Sequence, residues 1–357
     1  MSDKNIAGGK KKKALIAMSG GVDSSVAAYL MLQNDFDCIG ATMKLFNSES
    51  RCCSLQDVND ARDVAYKLGM PHYVVNLSAQ FEKYVIDKFI KVYEDGGTPN
   101  PCIDCNRFVK FNTLLLRAHQ LEYDYLVTGH YAQIEKKGSR FLLKKALDTK
   151  KDQSYVLYTM TQSQLSETFF PLGALTKDDV RIIAGQQQFI NAKKKDSQDI
   201  CFVSDGDYAA FIESRLNKKY SEGSVLDFSG NVIGKHNGHV RYTIGQRRGL
   251  GLSFPMPMYV CAKSAKDNTV TLGSEEHLFS KTLEAADLNL IVYEAIEEPI
   301  KVMVKTRYMQ KEQPAVIEQI EPDKIRIEFN SPQKSITKGQ AAVFYDGEYV
   351  VGGGTIL

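Results

Sequence analysis

The chain has no run of the roughly eighteen consecutive apolar residues that a membrane-spanning helix requires. Its polar, lysine-rich first residues lack the apolar centre of a secretory signal. Both absences lead to the expectation of a cytoplasmic protein with no membrane partner. Internal repeats and long low-complexity linkers are also missing. Charge of one sign is scarce: the formal net charge is +2. The basic residues instead gather in separate spots at Lys10 to Lys13, Lys144 and Lys145, Lys150 and Lys151, Lys193 to Lys195, and Arg247 and Arg248. Scattered spots of this kind suit a polyanion lying across several segments, because phosphate contacts give affinity wherever lysines and arginines face them; singly, each also reads as solvated surface. Seven cysteines in a cytosolic chain of 357 residues argue against a disulfide framework and for catalytic, metal-binding or redox use. Cys38 and Cys261 read as small buried hydrophobes in strands. The length favours two or three compact units.

What is present begins at Ala14 to Ser25, an apolar strand running into a glycine turn and then a helix. This arrangement presents backbone N–H groups to a phosphate. The Gly-Lys-Ser/Thr of a Walker A loop is absent, so no lysine here is placed to hold a γ-phosphate for simple nucleotide hydrolysis. Ser24 and Ser25 are expected to cap the helix, with Val26 to Leu32 as its apolar face. Asp23 is the unusual member, since a carboxylate beside phosphates is repelled unless a cation or substrate donor lies between them; it reads as a Mg²⁺ or substrate ligand. Ser19 to Ser24 resembles the pyrophosphatase loop of ATP-dependent adenylating enzymes. The alternative is an ordinary glycine-serine turn.

Up to about residue 205, strands at 14–17, 38–44, 72–76 and 125–128 alternate with helices near 24–32, 55–68, 80–94 and 107–120. That is a parallel α/β pattern. Ligands collect at the carboxyl ends of such strands, so Ser19 to Asp23, Met43 with Lys44, and Gly129 with His130 should meet in one crevice. Beyond Gly206 the texture changes to short β runs at 223–234, 259–263 and 268–272. A further boundary is expected near Ser280, followed by strands at 300–307, 315–320, 324–329 and 341–345, enough for a small antiparallel barrel.

Thr98 to Arg107 opens with two prolines that stiffen a loop, then sets Cys102 and Cys105 at a helix entrance, where unpaired N–H groups favour a thiolate. Cys201 follows the run Lys193 to Lys195, a basic neighbourhood that also favours a thiolate. A C-x-x-C pair is alternatively half of a structural zinc site. Cys52 and Cys53 could complete it only if their loop folded over the crevice, and no catalytic role is expected for them.

With these motifs together, the chain resembles the bacterial tRNA-specific 2-thiouridylases from about Leu15 to Gly354. The motifs at 17–24, 98–106, 128–131, 151–155, 192–202, 243–251 and 304–308 occur in the family's order. The resemblance implies an α/β fold: a parallel-sheet nucleotide-binding domain of the adenine nucleotide hydrolase-like type over residues 1–205, a small mostly-β tRNA-binding domain over 206–280 and a C-terminal antiparallel β-barrel over 281–357. It implies synthesis of 2-thiouridine at the tRNA wobble position: ATP with Mg²⁺ adenylates uridine O2, and a persulfide sulfur then displaces AMP. By position, Cys105 would be the nucleophile and Cys201 the persulfide carrier, with Asp23 also in the catalytic set. Ala17, Met18, Ser19, Gly20, Gly21, Val22, Asp23, Ser24, Met43 and Gly129 would hold ATP. Asn100, Pro101 and Cys102 would face the target base, and His130, Lys151, Asp152, Gln153, Arg307, Tyr308 and Gln340 would contact the tRNA anticodon stem-loop. Lys151 and Arg307 are natural phosphate ligands and Tyr308 could stack on an unpaired base. His130 reads equally as a histidine hydrogen-bonded at a strand end. A sulfur donor such as a cysteine desulfurase or a sulfur-relay protein is the implied partner.

One position departs from the family pattern, which carries Asp where this chain has Cys102. Cys102, Cys105 and Cys201 together are three thiolates able to bind a 4Fe–4S cluster with one iron open to sulfide, a rival to the persulfide route. An amidating synthetase with the same loop would leave Cys105 and Cys201 idle. A non-catalytic tRNA-binding protein would have no use for an intact Asp23.

Overall fold

The computed structural model describes residues 11–46, 55–195, 200–203 and 206–357; Cys52 and Cys53 lie outside the described residues. The first sheet runs in parallel order β3-β2-β1-β4-β7, formed by β1 (Lys13–Ala17), β2 (Asp37–Lys44), β3 (His72–Asn76), β4 (Tyr125–Val127) and β7 (Thr168–Phe169). Its strand β1 is fully apolar at the centre because helices cover both faces. Ile16, Val26 and Val127 pack in one core, and Leu15, Phe81 and Leu126 in the other. Chain order reverses across β1, so β1 and β4 flank the switch point at which doubly wound sheets bind ligands.

Two helices differ from the sequence expectation in their starts. α1 (Val22–Gln33) has Gly21 at its N-cap with no side-chain cap; Ser24 and Ser25 instead lie inside the helix and donate back to Gly21 O at 3.0 and 3.1 Å. The helix expected from Arg107 begins at Pro101, because Asn100 Oδ1 caps it by accepting from Cys102 N at 3.2 Å and proline suits a first helical position. From Cys105 to Leu114 its turns are widened to π-helical geometry, a feature that recurs at functional sites.

A second, mixed sheet in order β10-β11-β8-β9 combines β8 (Gly223–Leu226), β9 (Val232–His236), β10 (Tyr259–Ser264) and β11 (Thr269–Gly273) around Val225, Val260, Val270 and Leu272. The third is a closed antiparallel barrel. β12 (Phe279–Leu290), β15 (Lys324–Lys334), β14 (Gln313–Glu321), β13 (Ile300–Lys305), β16 (Ala341–Asp346) and β17 (Tyr349–Ile356) follow one another, and β12 also pairs with β17. The hairpin β5 (Gln133–Lys137) and β6 (Arg140–Lys144), contributed by the first half of the chain, joins the barrel sheet at β17. No described helix is long and apolar enough to cross a membrane.

Candidate active site

The glycine turn lies at the carboxyl end of β1. Gly20 adopts φ 73°, the left-handed region that favours glycine, and an added Cβ would stand 2.2 Å from Asp57 O. Ser19 is exposed and its N–H donates to Ser24 Oγ at 3.2 Å. With no side chain covering the first turn of α1, its N–H groups open to the crevice as an anion site. Met18 is held by backbone and side-chain bonds to β2, N–H to Ala41 O and C=O from Thr42 Oγ1, both at 2.8 Å. Ala17 and Met43 close the adjoining strand ends, and Gly129 packs directly against Asp23 and Ser24.

Asp23 is already engaged. Lys177 Nζ donates to its two carboxylate oxygens at 2.7 and 2.8 Å, and Tyr131 OH donates to Oδ1 at 2.9 Å. Lys177 is buried at the first turn of the helix Lys177–Gln186, fixed by a Thr176 and Asp179 capping box. Sequence reasoning missed this lysine, although its place just after a Thr cap with an acidic partner three residues on was a readable helix start. It also missed a clamp on the turn from the other side: Asn191 Nδ2 donates to Gly20 O at 3.0 Å and Ser25 Oγ at 2.9 Å, and Lys194 Nζ reaches Gly20 O at 3.2 Å. Lys194 further bridges Asp57 and Asp60, each at 2.6 Å. Its charge is therefore matched locally, which corrects the expectation that the whole run 193–195 lends its field to Cys201.

Mg²⁺ prefers few protein ligands alongside phosphate oxygens and water. The site fits that habit with one carboxylate: Asp23 is partly exposed at the start of α1, and Mg²⁺ held there would share it with Lys177 and Tyr131. Among the described residues no three His, Cys, Asp or Glu side chains gather as a metal-ligand set. Cys102, Cys105 and Cys201 as they stand do not form such a set among the described residues.

Cys105 is buried in a hydrophobic cluster, and Cys201 packs against the same cluster, as do Ala17, Met43 and Tyr308. Phe202 is the anchor beside Cys201: its ring meets Phe81 at 5.8 Å, Phe89 at 5.0 Å and Phe211 at 5.2 Å. Cys102 is exposed at the helix entrance, near enough to Tyr308 for its charge to bear on that phenol. The remaining cysteines are of another kind. Burial pushes the Cys38 thiol in β2 up to about 12, and burial also raises Cys261 in β10.

The residues tied to tRNA by resemblance occupy varied settings. Gln153 exchanges hydrogen bonds with Tyr131, its Oε1 accepting from Tyr131 N at 2.9 Å and its N–H donating to Tyr131 O at 2.8 Å. Asp152 spends its carboxylate on Ala146 N, Ser154 N and Ser154 Oγ. Lys151 is half-buried beside them. Tyr308 OH donates to Asp152 O at 3.2 Å, and burial pushes its phenol up to about 12. Arg307 donates to Ser335 O and Thr337 Oγ1, both neutral partners. Gln340 donates to the Thr98 and Pro99 carbonyls. His130 is half-buried between Phe111 and Phe170, bonded to Thr128 Oγ1 at 2.7 Å; burial, then Lys110, holds its imidazole well below the usual histidine range. It is thus a neutral ring at physiological pH. Arg247 and Arg248 are both exposed.

Residues 12–205 match the family described as tRNA methyl transferase HUP domain, 209–274 its PRC-barrel domain and 280–356 an aminomethyltransferase β-barrel domain. The chain is 50% identical over 353 residues to the tRNA-specific 2-thiouridylase MnmA of Clostridioides difficile (strain 630), covering 97% of this chain and 98% of that protein. It is 49% identical over 356 residues to the protein of the same name from Acetivibrio thermocellus, covering 97% and 99%. Among solved structures, it is similar at 17% identity and a TM-score of 0.37 to the U34-tRNA thiolase NcsA from Methanococcus maripaludis, over 60% of this chain and 67% of that one.

Proposed function

The chain belongs to the bacterial tRNA-specific 2-thiouridylase family, and we propose that within it Cys105 is the nucleophile and Cys201 the persulfide carrier of wobble-uridine thiolation. The enzyme is an ATP-dependent tRNA sulfurtransferase: uridine O2 is adenylated, and sulfur then replaces it at C2. Adenylation is needed because oxygen leaves C2 poorly until it is part of AMP.

In the first step O2 attacks the α-phosphorus and pyrophosphate departs. Ala17 to Ser24, with the open end of α1, hold the phosphates, Met43 and Gly129 border the nucleotide, and Lys177 balances Asp23 so that a carboxylate is tolerated there. Mg²⁺ would be held by Asp23 with phosphate oxygens and water, and supplies neutralising charge when bound. In the second step the terminal sulfur of the Cys201 persulfide attacks C2 and AMP leaves with O2. The Cys105 thiolate then attacks Cys201 Sγ, breaking the S–S bond to leave 2-thiouridine and a Cys105–Cys201 disulfide. An external thiol reductant opens it, and a cysteine desulfurase or relay protein reloads Cys201. Asn100, Pro101 and Cys102 face the base; His130, Lys151, Asp152, Gln153, Arg307, Tyr308 and Gln340 border the anticodon stem-loop. Residues 1–205 adenylate and transfer sulfur, and 206–280 and 281–357 bring in tRNA.

The observation that supports this reading is that Cys105 lies in one hydrophobic core and that Ala17, Met43 and Cys201 pack against that same core. Its test is mass spectrometry of the wobble uridine beside pyrophosphate release, for wild type, Cys105→Ala and Cys201→Ala. Both variants are expected to release pyrophosphate and form no 2-thiouridine; full thiolation by either overturns the assignment. Anaerobic purification that yields a brown protein with labile sulfide would turn the chemistry to the cluster route.

A further inference from the structure

We infer that Gln340 and the Arg107–Asp287 ion pair are positioning residues through which the C-terminal barrel sets the loop and helix carrying Cys102 and Cys105. The inference rests on the assignment of Cys105 above.

The loop before the cysteines has few donors of its own. Pro99 and Pro101 have no N–H to give, so within 98–101 the backbone donors are those of Thr98 and Asn100 alone. The barrel supplies what is missing. Gln340 Nε2 donates to Thr98 O at 2.9 Å and lies 3.4 Å from Pro99 O. Thr98 N–H donates the other way, to Lys338 O, at 2.8 Å. Two segments more than two hundred residues apart in the chain thus clasp each other by hydrogen bonds in both directions. Glycine on each side permits the approach. Gly339 has φ 86°, and a Cβ there would stand 2.8 Å from Val92 Cγ1 and 3.3 Å from Thr98 N and O; a Cβ on Gly97 would meet Lys338 O at 3.1 Å.

The second tie lies two residues beyond Cys105. Arg107 reaches across 180 positions to Asp287 in the barrel. Asp287 adopts φ 54° at the irregularity of β12, a left-handed conformation that aspartate takes more readily than most side chains. Between the two ties, buried Asp104 is paired with Lys88 at 2.7 Å. Asn100, Asp104, Arg107, Asp287 and Gly339 enclose a cavity of about 30 Å³ at this seam. The family resemblance makes Gln340 a tRNA contact. Its amide donors also reach the carbonyls of the loop that presents the base-facing residues, so its loss should misplace that loop even when tRNA is saturating.

The experiment is a single-turnover thiolation assay at saturating ATP and tRNA, with tRNA affinity measured in parallel, on Gln340→Leu, Asp287→Asn and the exchange Arg107→Asp with Asp287→Arg. A displacement of about 1 Å costs on the order of a hundredfold in rate, so Gln340→Leu and Asp287→Asn are each expected to slow 2-thiouridine formation by about ten- to a hundredfold. The tRNA Kd of Asp287→Asn should stay within about twofold of wild type, which separates positioning from binding. The exchanged pair should recover most of the loss of Asp287→Asn, which a simple packing role would not predict. Wild-type rates in both single variants overturn the inference, as does a Kd increase large enough to account for the slowing in Asp287→Asn. Cys105→Ala runs alongside: if it thiolates normally, the nucleophile assignment fails, whereas its inactivity beside unaffected Gln340→Leu and Asp287→Asn sinks the positioning role alone.

Discussion

Asp23 puts a negative charge into a loop shaped for phosphates, and Lys177 is what makes this tolerable. Removing the lysine leaves a carboxylate facing the anion site without its partner, and loss of one preorganised charge donor typically costs about 10² to 10³ in rate. Lys177→Met should therefore slow pyrophosphate release by about a hundredfold with tRNA Kd unchanged, measured by pre-steady-state phosphate chemistry; an unaltered burst would refute the role. His130 gives a pH test. Its folded-state pKa is lowered by burial, so below the unfolded value of about 6.5 the unfolded chain takes up a proton that the native chain does not, and stability falls as pH falls. His130→Gln should flatten the acid limb of the melting temperature between about pH 6.5 and 5; an unchanged limb would contradict the buried neutral ring. Asp23 was readable because a strand, a glycine turn and a helix follow one another within a dozen residues. Lys177 was not, because its partner lies 154 positions away and nothing local marks a lysine at a helix start as an ion-pair partner.

The helix from Pro101 and the short segment around Cys201 are opposite ways of presenting a thiol. One is a capped helix with widened turns; the other is a short segment anchored by the Phe202 ring, with Val203 buried beside it. Phe202→Ala would leave a cavity in the Phe81, Phe89 and Phe211 cluster, a change worth about 3–5 kcal/mol when fully felt. Its effect should fall on sulfur transfer: 2-thiouridine formation drops by about tenfold or more while pyrophosphate release persists, because Cys201 loses its placement and the glycine turn does not. Equal loss of both products would contradict it. The α/β elements were legible from apolar runs and 3.6-residue periodicity. β12, β17 and the hairpin of β5 and β6 were not. No strand is expected at Gly352 to Gly354, yet they lie inside β17, where a Cβ on Gly352 would stand 2.3 Å from Asn289 O; the glycines are there because strands of a small barrel crowd their backbones. β5 and β6 alternate weakly because they complete a distant sheet rather than the one beside them in sequence.

Taken whole, the molecule is an adenylating sheet bonded to a barrel from the other end of the chain, with basic residues in separate spots on a nearly neutral chain. Arg247 and Arg248 in the small middle unit are exposed, and Arg307 donates to neutral partners. Each arginine that touches a phosphate should, when replaced by alanine, lower the slope of log K against log salt by about 1. Fluorescence titration of tRNA across a salt series checks this for Arg247→Ala with Arg248→Ala, and a slope equal to wild type would exclude that loop from the RNA. The most direct test of the shared crevice is peptide mapping after one turnover of persulfide-loaded enzyme with tRNA and ATP in the absence of reductant. One Cys105–Cys201 disulfide per 2-thiouridine formed, and none when ATP is withheld, is the expected result; 2-thiouridine made while the two thiols stay unlinked would contradict it.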